Sequence, residues 1–270
     1  MLIDFHTHVF PDKIAFRALE ALKQGIINTH GKLLLQPQTD ATRSGLLKSM
    51  DENGVDMSIV MPIATSPTQH ATINRFAKEI SDSKRIISFG SIHPSQPDWE
   101  NALEGISADG ISGIKLHPEF QEFFVDEKIT ESIVKKCEDL GLWVLFHAGE
   151  DYGYKPPFHC TPERLRNLLD KTGCKNIIAA HFGGFSMWED ADKYLIGTDI
   201  YMDTSMTSGF LDKEKCRDMI MRHGSDKILF GSDNPWQSPK ESFEFLMSLG
   251  LPEEDLELIK HKNAERILGL

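Results

Sequence analysis

The chain has 270 residues, 40% hydrophobic and 26% charged, and a net charge of −12. That composition is an ordinary globular one, and the length suits one large domain with a core of native size. The acidic balance argues against nucleic acid or an anionic membrane as a partner, although a local site in an acidic protein can still hold an anion.

The four cysteines, Cys137, Cys160, Cys174 and Cys216, lie far apart with no CxxC pair, and read as reduced thiols of a cytoplasmic protein. No leader peptide and no apolar run of membrane-spanning length is visible.

The chain begins with a short apolar strand, Met1–Phe5, that runs into His6-Thr7-His8. Alternate residues of a strand share a face, so His6 and His8 form a chelating pair if a further ligand approaches. Residues 9–41 follow, helical from about Ile14 to Lys23 and irregular elsewhere. An insertion this long after a site strand is expected to cover a pocket, with Phe10 and Phe16 as wall or subunit-contact residues. A helix over about Thr42–Asn53 stops at Gly54.

A strand–helix unit then repeats. Strands are expected over Asp56–Ile63, Arg85–His93, Gly110–His117, Leu142–His147, Asn176–His181, Asp199–Ser205 and Lys227–Asp233. Helices are expected over about His70–Ser81, Asp98–Ala108, Glu127–Leu140, Pro162–Thr172, Met187–Ile196, Lys213–His223, Lys240–Leu249 and Glu253–Leu268. Near-continuous Ile, Val, Leu and Phe in the strands is the pattern of a parallel sheet buried on both faces. Eight such units in one uninterrupted domain predict a (β/α)8 TIM barrel, with an open doubly wound sheet as the alternative.

Chemistry-bearing residues close these strands: His6 and His8, Lys115 and His117, His147, His181, Asp203 and Asp233. In a barrel those ends converge on one mouth, and the last strand returns beside the first. Three imidazoles and a carboxylate suit a divalent metal, Zn²⁺ best. Such an ion activates water or polarises a substrate oxygen. Asp233 and His181 are the expected catalytic groups, Asp233 also as a ligand that carries a proton. Asp203 is expected to orient a ligand through a hydrogen bond. Trp236, His117 and Asp203 are candidate pocket residues. His93 is expected in a structural hydrogen bond, and His30, His70, His159, His223 and His261 on the surface or in loops.

The motifs Asp-Phe-His-Thr-His, Gly-Ile-Lys-Leu-His-Pro, Leu-Phe-His-Ala-Gly, Ala-His-Phe-Gly-Gly and Phe-Gly-Ser-Asp-Asn-Pro-Trp, with the closing Asn263–Leu268, resemble the amidohydrolase superfamily. Within it they resemble the amidohydrolase-related (amidohydrolase 2) branch, which includes aminocarboxymuconate-semialdehyde decarboxylase-like proteins. The resemblance covers essentially the whole chain. It implies one divalent metal on His6, His8, His147 and Asp233, with His181 as the catalytic histidine. It also implies an alternative with two metals, in which a carboxylated Lys115 bridges and His181 binds the second ion. An uncarboxylated Lys115 would instead bind a carboxylate substrate.

The leading expectation is a metal-dependent hydrolase that attacks an amide, lactone or similar carbonyl of a small molecule. The alternative is a metal-dependent non-oxidative decarboxylase, in which Lys115 or an arginine such as Arg75 neutralises the substrate. A non-catalytic metal-binding barrel is the third reading. A homodimer is expected on base rates of symmetry alone.

Overall fold

The structure, a computed structural model, describes all 270 residues. Eight parallel strands run β1 (Ile3–Thr7), β2 (Met57–Val60), β3 (Ile86–Ser88), β4 (Gly113–Leu116), β5 (Trp143–Phe146), β6 (Ile177–Ala179), β7 (Tyr201–Asp203) and β8 (Ile228–Leu229). Regular pairing gives two arcs, β1-β2-β3 and β4 through β8. Two parallel bridges join them, Gly90 to Ile114 and Thr7 to Asn234. The second seam is reinforced by Phe5 N–H donating to Phe230 O at 2.8 Å and Asp233 N–H to His6 O at 2.8 Å. The sheet is therefore a closed barrel, not an open one, and it forms a single domain.

The helices are α1 (Asp12–His30), α2 (Arg43–Asn53), α3 (His70–Ile80), α4 (Trp99–Ala108), α5 (Lys128–Asp139), α6 (Pro162–Thr172), α7 (Trp188–Tyr194), α8 (Lys213–His223), α9 (Pro239–Ser248), α10 (Glu253–Glu257) and α11 (Asn263–Leu268). Their ends have local causes. The Thr42, Thr161 and Asp212 side chains accept from Gly45, Arg164 and Lys215 N–H, which satisfies otherwise orphaned first-turn donors. Gly54 stops α2 at φ 68°, a conformation that costs a side-chain-bearing residue.

Strand alternation sorts the apolar residues into two layers. Leu2, Val60, Ile114, Val144, Phe146, Ile177 and Met202 face the helices in an outer core. Ile3, Phe5, Ile59, Phe89, Leu145, Ile178 and Leu229 fill the barrel interior, joined by Ala264 and Ile267 of α11 across its floor. Each such aliphatic side chain contributes about 1.5–3 kcal/mol by leaving water.

Three expectations need correction. α1 runs from Asp12 to His30, longer than the expected helix, because apolar contacts at Ala15, Leu19 and Ile26 carry it past Lys23. The last expected helix is interrupted by a π turn at Leu258–Lys262, where Phe230 N–H reaches Ile259 O at 2.9 Å. His223, expected on the surface, is buried at the end of α8.

Candidate active site

The strands are shorter than their apolar runs, so several site residues sit just past a strand end. His6, Lys115 and Asp203 lie within β1, β4 and β7, whereas His8, His117 and His147 follow their strands by one residue. His181 begins a 3-10 turn at φ 57°, and Asp233 has φ 71°. A positive φ on a side-chain-bearing residue is costly and persists where the surrounding structure enforces it.

β1 carries a β-bulge, seen as a register shift between Asp4 and Thr7. Phe5 packs edge-on against Phe89 inside the barrel, and His6 nevertheless turns inward as well. A strict two-residue alternation would send those neighbours to opposite faces, and a bulge is what re-aims such a side chain.

The hydrogen bonds fix the proton on each imidazole. His8 Nδ1 lies 2.9 Å from Met61 O, which can only accept, so Nδ1 carries the proton. His6 Nδ1 lies 2.8 Å from Asp203 Oδ2 and donates likewise. Both Nε2 atoms therefore present lone pairs, and they face one another at 3.2 Å. Asp233 Oδ1 sits 3.1 Å from His8 Nε2 and 3.6 Å from His6 Nε2. Three acceptors aimed at one point repel unless a cation lies among them. Nitrogen ligands about 2.0–2.1 Å from a tetrahedral ion are themselves roughly 3.3 Å apart, so this set fits a divalent metal.

His181 and His147 form a second such pair. The Ser205 hydroxyl donates to Asp203 Oδ1 and accepts from His181 Nδ1 at 2.8 Å, so His181 Nε2 is unprotonated. His147 Nε2 donates to Glu150 O at 3.2 Å, which leaves its Nδ1 a lone pair 3.1 Å from His181 Nε2. Asp203 thus orients His6 directly and His181 through Ser205, and its Oδ1 also accepts His181 N–H at 3.0 Å.

Burial holds His6, His117, His147 and His181 well below the usual imidazole range, so they are neutral, as metal ligands must be. Burial likewise raises Asp233 and pushes Lys115 down to about 8. Lys115 Nζ lies 3.3 Å from His6 Nε2, the ammonium-bearing group at the centre of the mouth.

His117 stacks between Phe120, at 3.7 Å between centroids, and His147, at 4.1 Å. Phe120 N–H donates to its Nδ1, so Nε2–H points to Asp151 Oδ2 at 3.3 Å. Behind it, Glu119 is buried with one oxygen unpartnered, and burial raises it to about 7.

These groups open into a cavity of about 690 Å³. Lys115, His117, His147, His181, Asp233 and Trp236 all line it, whereas Asp203 lies behind them. So do Phe10 and the inner face of α1; Phe16 is 74% exposed on the other side of that helix. Arg75 is not in the mouth; it is an exposed side chain on α3 beside Glu79, 3.9 Å away. Residue patterns in the sequence missed Ser205 and Asp151. Ser205 is two positions from Asp203, the spacing that shares a strand face, and Asp151 follows closely on the His147 strand end.

A barrel whose C-terminal mouth gathers a metal-fitting set of imidazoles and carboxylates defines a metal-dependent barrel enzyme. The chain belongs to the amidohydrolase family, whose model (Amidohydro_2) matches residues 3–270. A search of curated proteins finds no match. Among solved structures the fold is similar to 2,6-dihydroxybenzoate decarboxylase complexed with 2,6-dihydroxybenzoate, at TM-score 0.73 and 18% identity over 100% of this chain and 99% of that one. It is similar to 5-carboxyvanillate decarboxylase from Novosphingobium aromaticivorans, complexed with manganese and a nitrobenzoic acid, at TM-score 0.73 and 16% identity over 100% and 96%. It is also similar to a probable 2-pyrone-4,6-dicarboxylic acid hydrolase from Acinetobacter baumannii, at TM-score 0.68 and 16% identity over 100% and 99%.

Proposed function

We propose that the protein is a metal-dependent non-oxidative decarboxylase acting on a small carboxylate with a neighbouring hydroxyl. One observation carries this reading: Lys115 is the only lysine or arginine lining the cavity, and its Nζ stands 3.3 Å from His6 Nε2. An anionic head group is thereby drawn to one point, beside the metal-fitting set and among apolar walls. An apolar site destabilises a carboxylate and favours its loss as neutral CO₂. The decarboxylases among the similar structures support the same order of preference, which reverses the expectation of hydrolysis first.

His6, His8 and Asp233 would hold the ion, with His147 as the fourth candidate ligand. Mn²⁺ and Zn²⁺ both suit this mixed nitrogen and oxygen set, and a structural relative holds manganese. One ion is assigned because the carboxylates beside the other histidines are taken up, Asp203 by His6 and Asp151 by His117. When bound, the ion supplies positive charge to the substrate's oxygens. Lys115 anchors the carboxylate. Asp233 Oδ1 faces both histidines, which leaves Oδ2 as the oxygen that would carry the proton. That proton goes to the carbon bearing the carboxylate. The bond to the carboxyl carbon then breaks, its electron pair stays with the substrate skeleton, and CO₂ leaves: one carboxylate and one proton give one C–H product and one CO₂.

The hydrolase reading rests on the similarity to the pyrone dicarboxylic acid hydrolase. The test is to load the protein with Mn²⁺ or Zn²⁺ and offer hydroxyaryl carboxylates, lactones and amides in D₂O and in H₂¹⁸O. The expected result is CO₂ and one deuterium on carbon. Water-derived ¹⁸O in an acid product, with no CO₂, overturns it.

A further inference from the structure

We infer that the site takes a carboxylate with one acidic head and a large apolar body, laid in a limb of the cavity between α1 and α3. The inference rests on the decarboxylase reading for the head and on separate observations for the body. The first observation is size. A cavity of about 690 Å³ has the capacity of a drug-sized ligand, far more than one substituted ring fills.

The second observation is where the extra space lies. The inner face of α1 presents Ile14, Ala18, Ala21, Leu22 and Gly25 to the cavity, a helical spacing of three and four residues. Gly25 comes close to the Gly153 backbone and closes one end, whereas Ala18 and Ala21 are small side chains that leave room in front of them. Ile73 and Phe76 of α3 line the same cavity. The limb is continuous with the space in front of His8, Lys115 and Asp233, so one molecule can occupy both.

The third observation is charge. No lysine or arginine other than Lys115 lines the cavity, and the remaining charged side chains there, Glu150, Asp151 and Asp233, are acidic. A second carboxylate on the body would meet no counter-charge and would lie among apolar groups. An alkyl chain or a fused ring system gains instead by leaving water. Ala18 and Ala21 are then specificity-determining by their smallness.

Two matched series test this on the Mn²⁺-loaded protein. The first is 4-alkyl-2-nitrophenols with methyl to octyl tails, in which nitro replaces the carboxylate and cannot be lost; calorimetry reads their Kd. The second is the corresponding 5-alkyl-2-hydroxybenzoates, with the tail again para to the hydroxyl, read by CO₂ release. Binding is expected to tighten by about fourfold per methylene until the limb is filled. A21W is expected to remove most of that gain for the octyl compound and leave the methyl compound within about twofold. The wild-type series stands alone if A21W fails to fold, as judged by its melting curve. Affinity independent of tail length overturns the limb assignment, even if CO₂ is released. Tail-dependent binding without CO₂ from any member sustains the limb and overturns the decarboxylase reading. A 4-carboxymethyl analogue that binds as tightly as the propyl one overturns the single-charge conclusion.

Discussion

One aspartate at the mouth does two jobs that single substitutions can separate. Asp203 accepts from His6 Nδ1 through Oδ2, and it holds Ser205, which in turn accepts from His181 Nδ1. Replacing Asp203 by Asn is expected to lower metal affinity by about 10–100-fold, the usual cost of losing a ligand's orienting partner. Replacing Ser205 by Ala frees His181 but leaves His6 Nδ1 on Asp203 at 2.8 Å, so metal content measured by mass spectrometry is expected to stay at the wild-type level while kcat falls about tenfold or more. Equal metal loss in both variants would remove the distinction. Lys115 belongs to the same scale. On the decarboxylase reading its ammonium is the only side-chain counter-charge for a substrate carboxylate, and a charged hydrogen bond is worth about 1.5–3 kcal/mol. Lys115→Met is therefore expected to cost roughly 10–100-fold in kcat/KM, with steady-state kinetics and retained metal as the check. Of these residues, the sequence pattern makes the histidines, Lys115 and the two aspartates legible, because each follows an apolar run. Ser205 and Asp151 are common polar residues with no such mark, and which imidazole nitrogen carries a proton depends on partners far along the chain, 197 positions away for His6 and Asp203.

At the scale of elements, apolar periodicity places the repeating strands and helices to within a few residues. It misses what tertiary contacts decide: the bulge in β1, the extra length of α1 and the π turn between α10 and α11. The end of α8 shows why. His223 sits where a helix dipole favours a cationic imidazole, and a sequence reading sends it to the surface. In the fold it pins the single loop between α7 and β7 at two points as a neutral ring. Gly197 N–H donates to its Nδ1 at 3.2 Å, and its Nε2 donates to Ile200 O at 2.8 Å. A proton on Nδ1 would confront the Gly197 N–H, and burial, the largest cause, pulls the ring down to about 4. The unfolded chain, with an ordinary imidazole near 6.5, then binds more protons between pH 6.5 and 4. This contribution to stability is whole above pH 6.5 and is lost as pH falls toward 4, in total about 3 kcal/mol. His223→Asn is expected to be less stable at pH 8, because the paired backbone groups lose good partners, and to lose less stability than wild type between pH 6.5 and 4. Urea titrations across that range check it; parallel curves would show that His223 titrates normally.

For the whole molecule, the barrel is legible because eight βα units repeat, but its closure is not, since an open sheet uses the same pattern. Closure lies in two seams of single bridges, and the β8–β1 seam is also where the metal-fitting set sits. His6 and His8 come from the first strand region and Asp233 from the last, 225 positions after His8, so an ion held there ties the two ends of the chain's strand order together. Binding of this kind stabilises the folded state by mass action, by about 4 kcal/mol when free metal is a thousand times its Kd. At roughly 2–4 °C per kcal/mol for chains of about this size, a chelator is expected to lower the melting temperature by about 10 °C. His8→Ala removes one of the three converging groups, so its melting temperature is expected to start lower and to respond little to the same chelator. Differential scanning fluorimetry on both proteins, with and without added Mn²⁺ or Zn²⁺, makes the comparison. A wild-type melting temperature unmoved by chelator and by metal would mean that the three acceptors bind no ion with useful affinity, and that the mouth balances them through Lys115 alone.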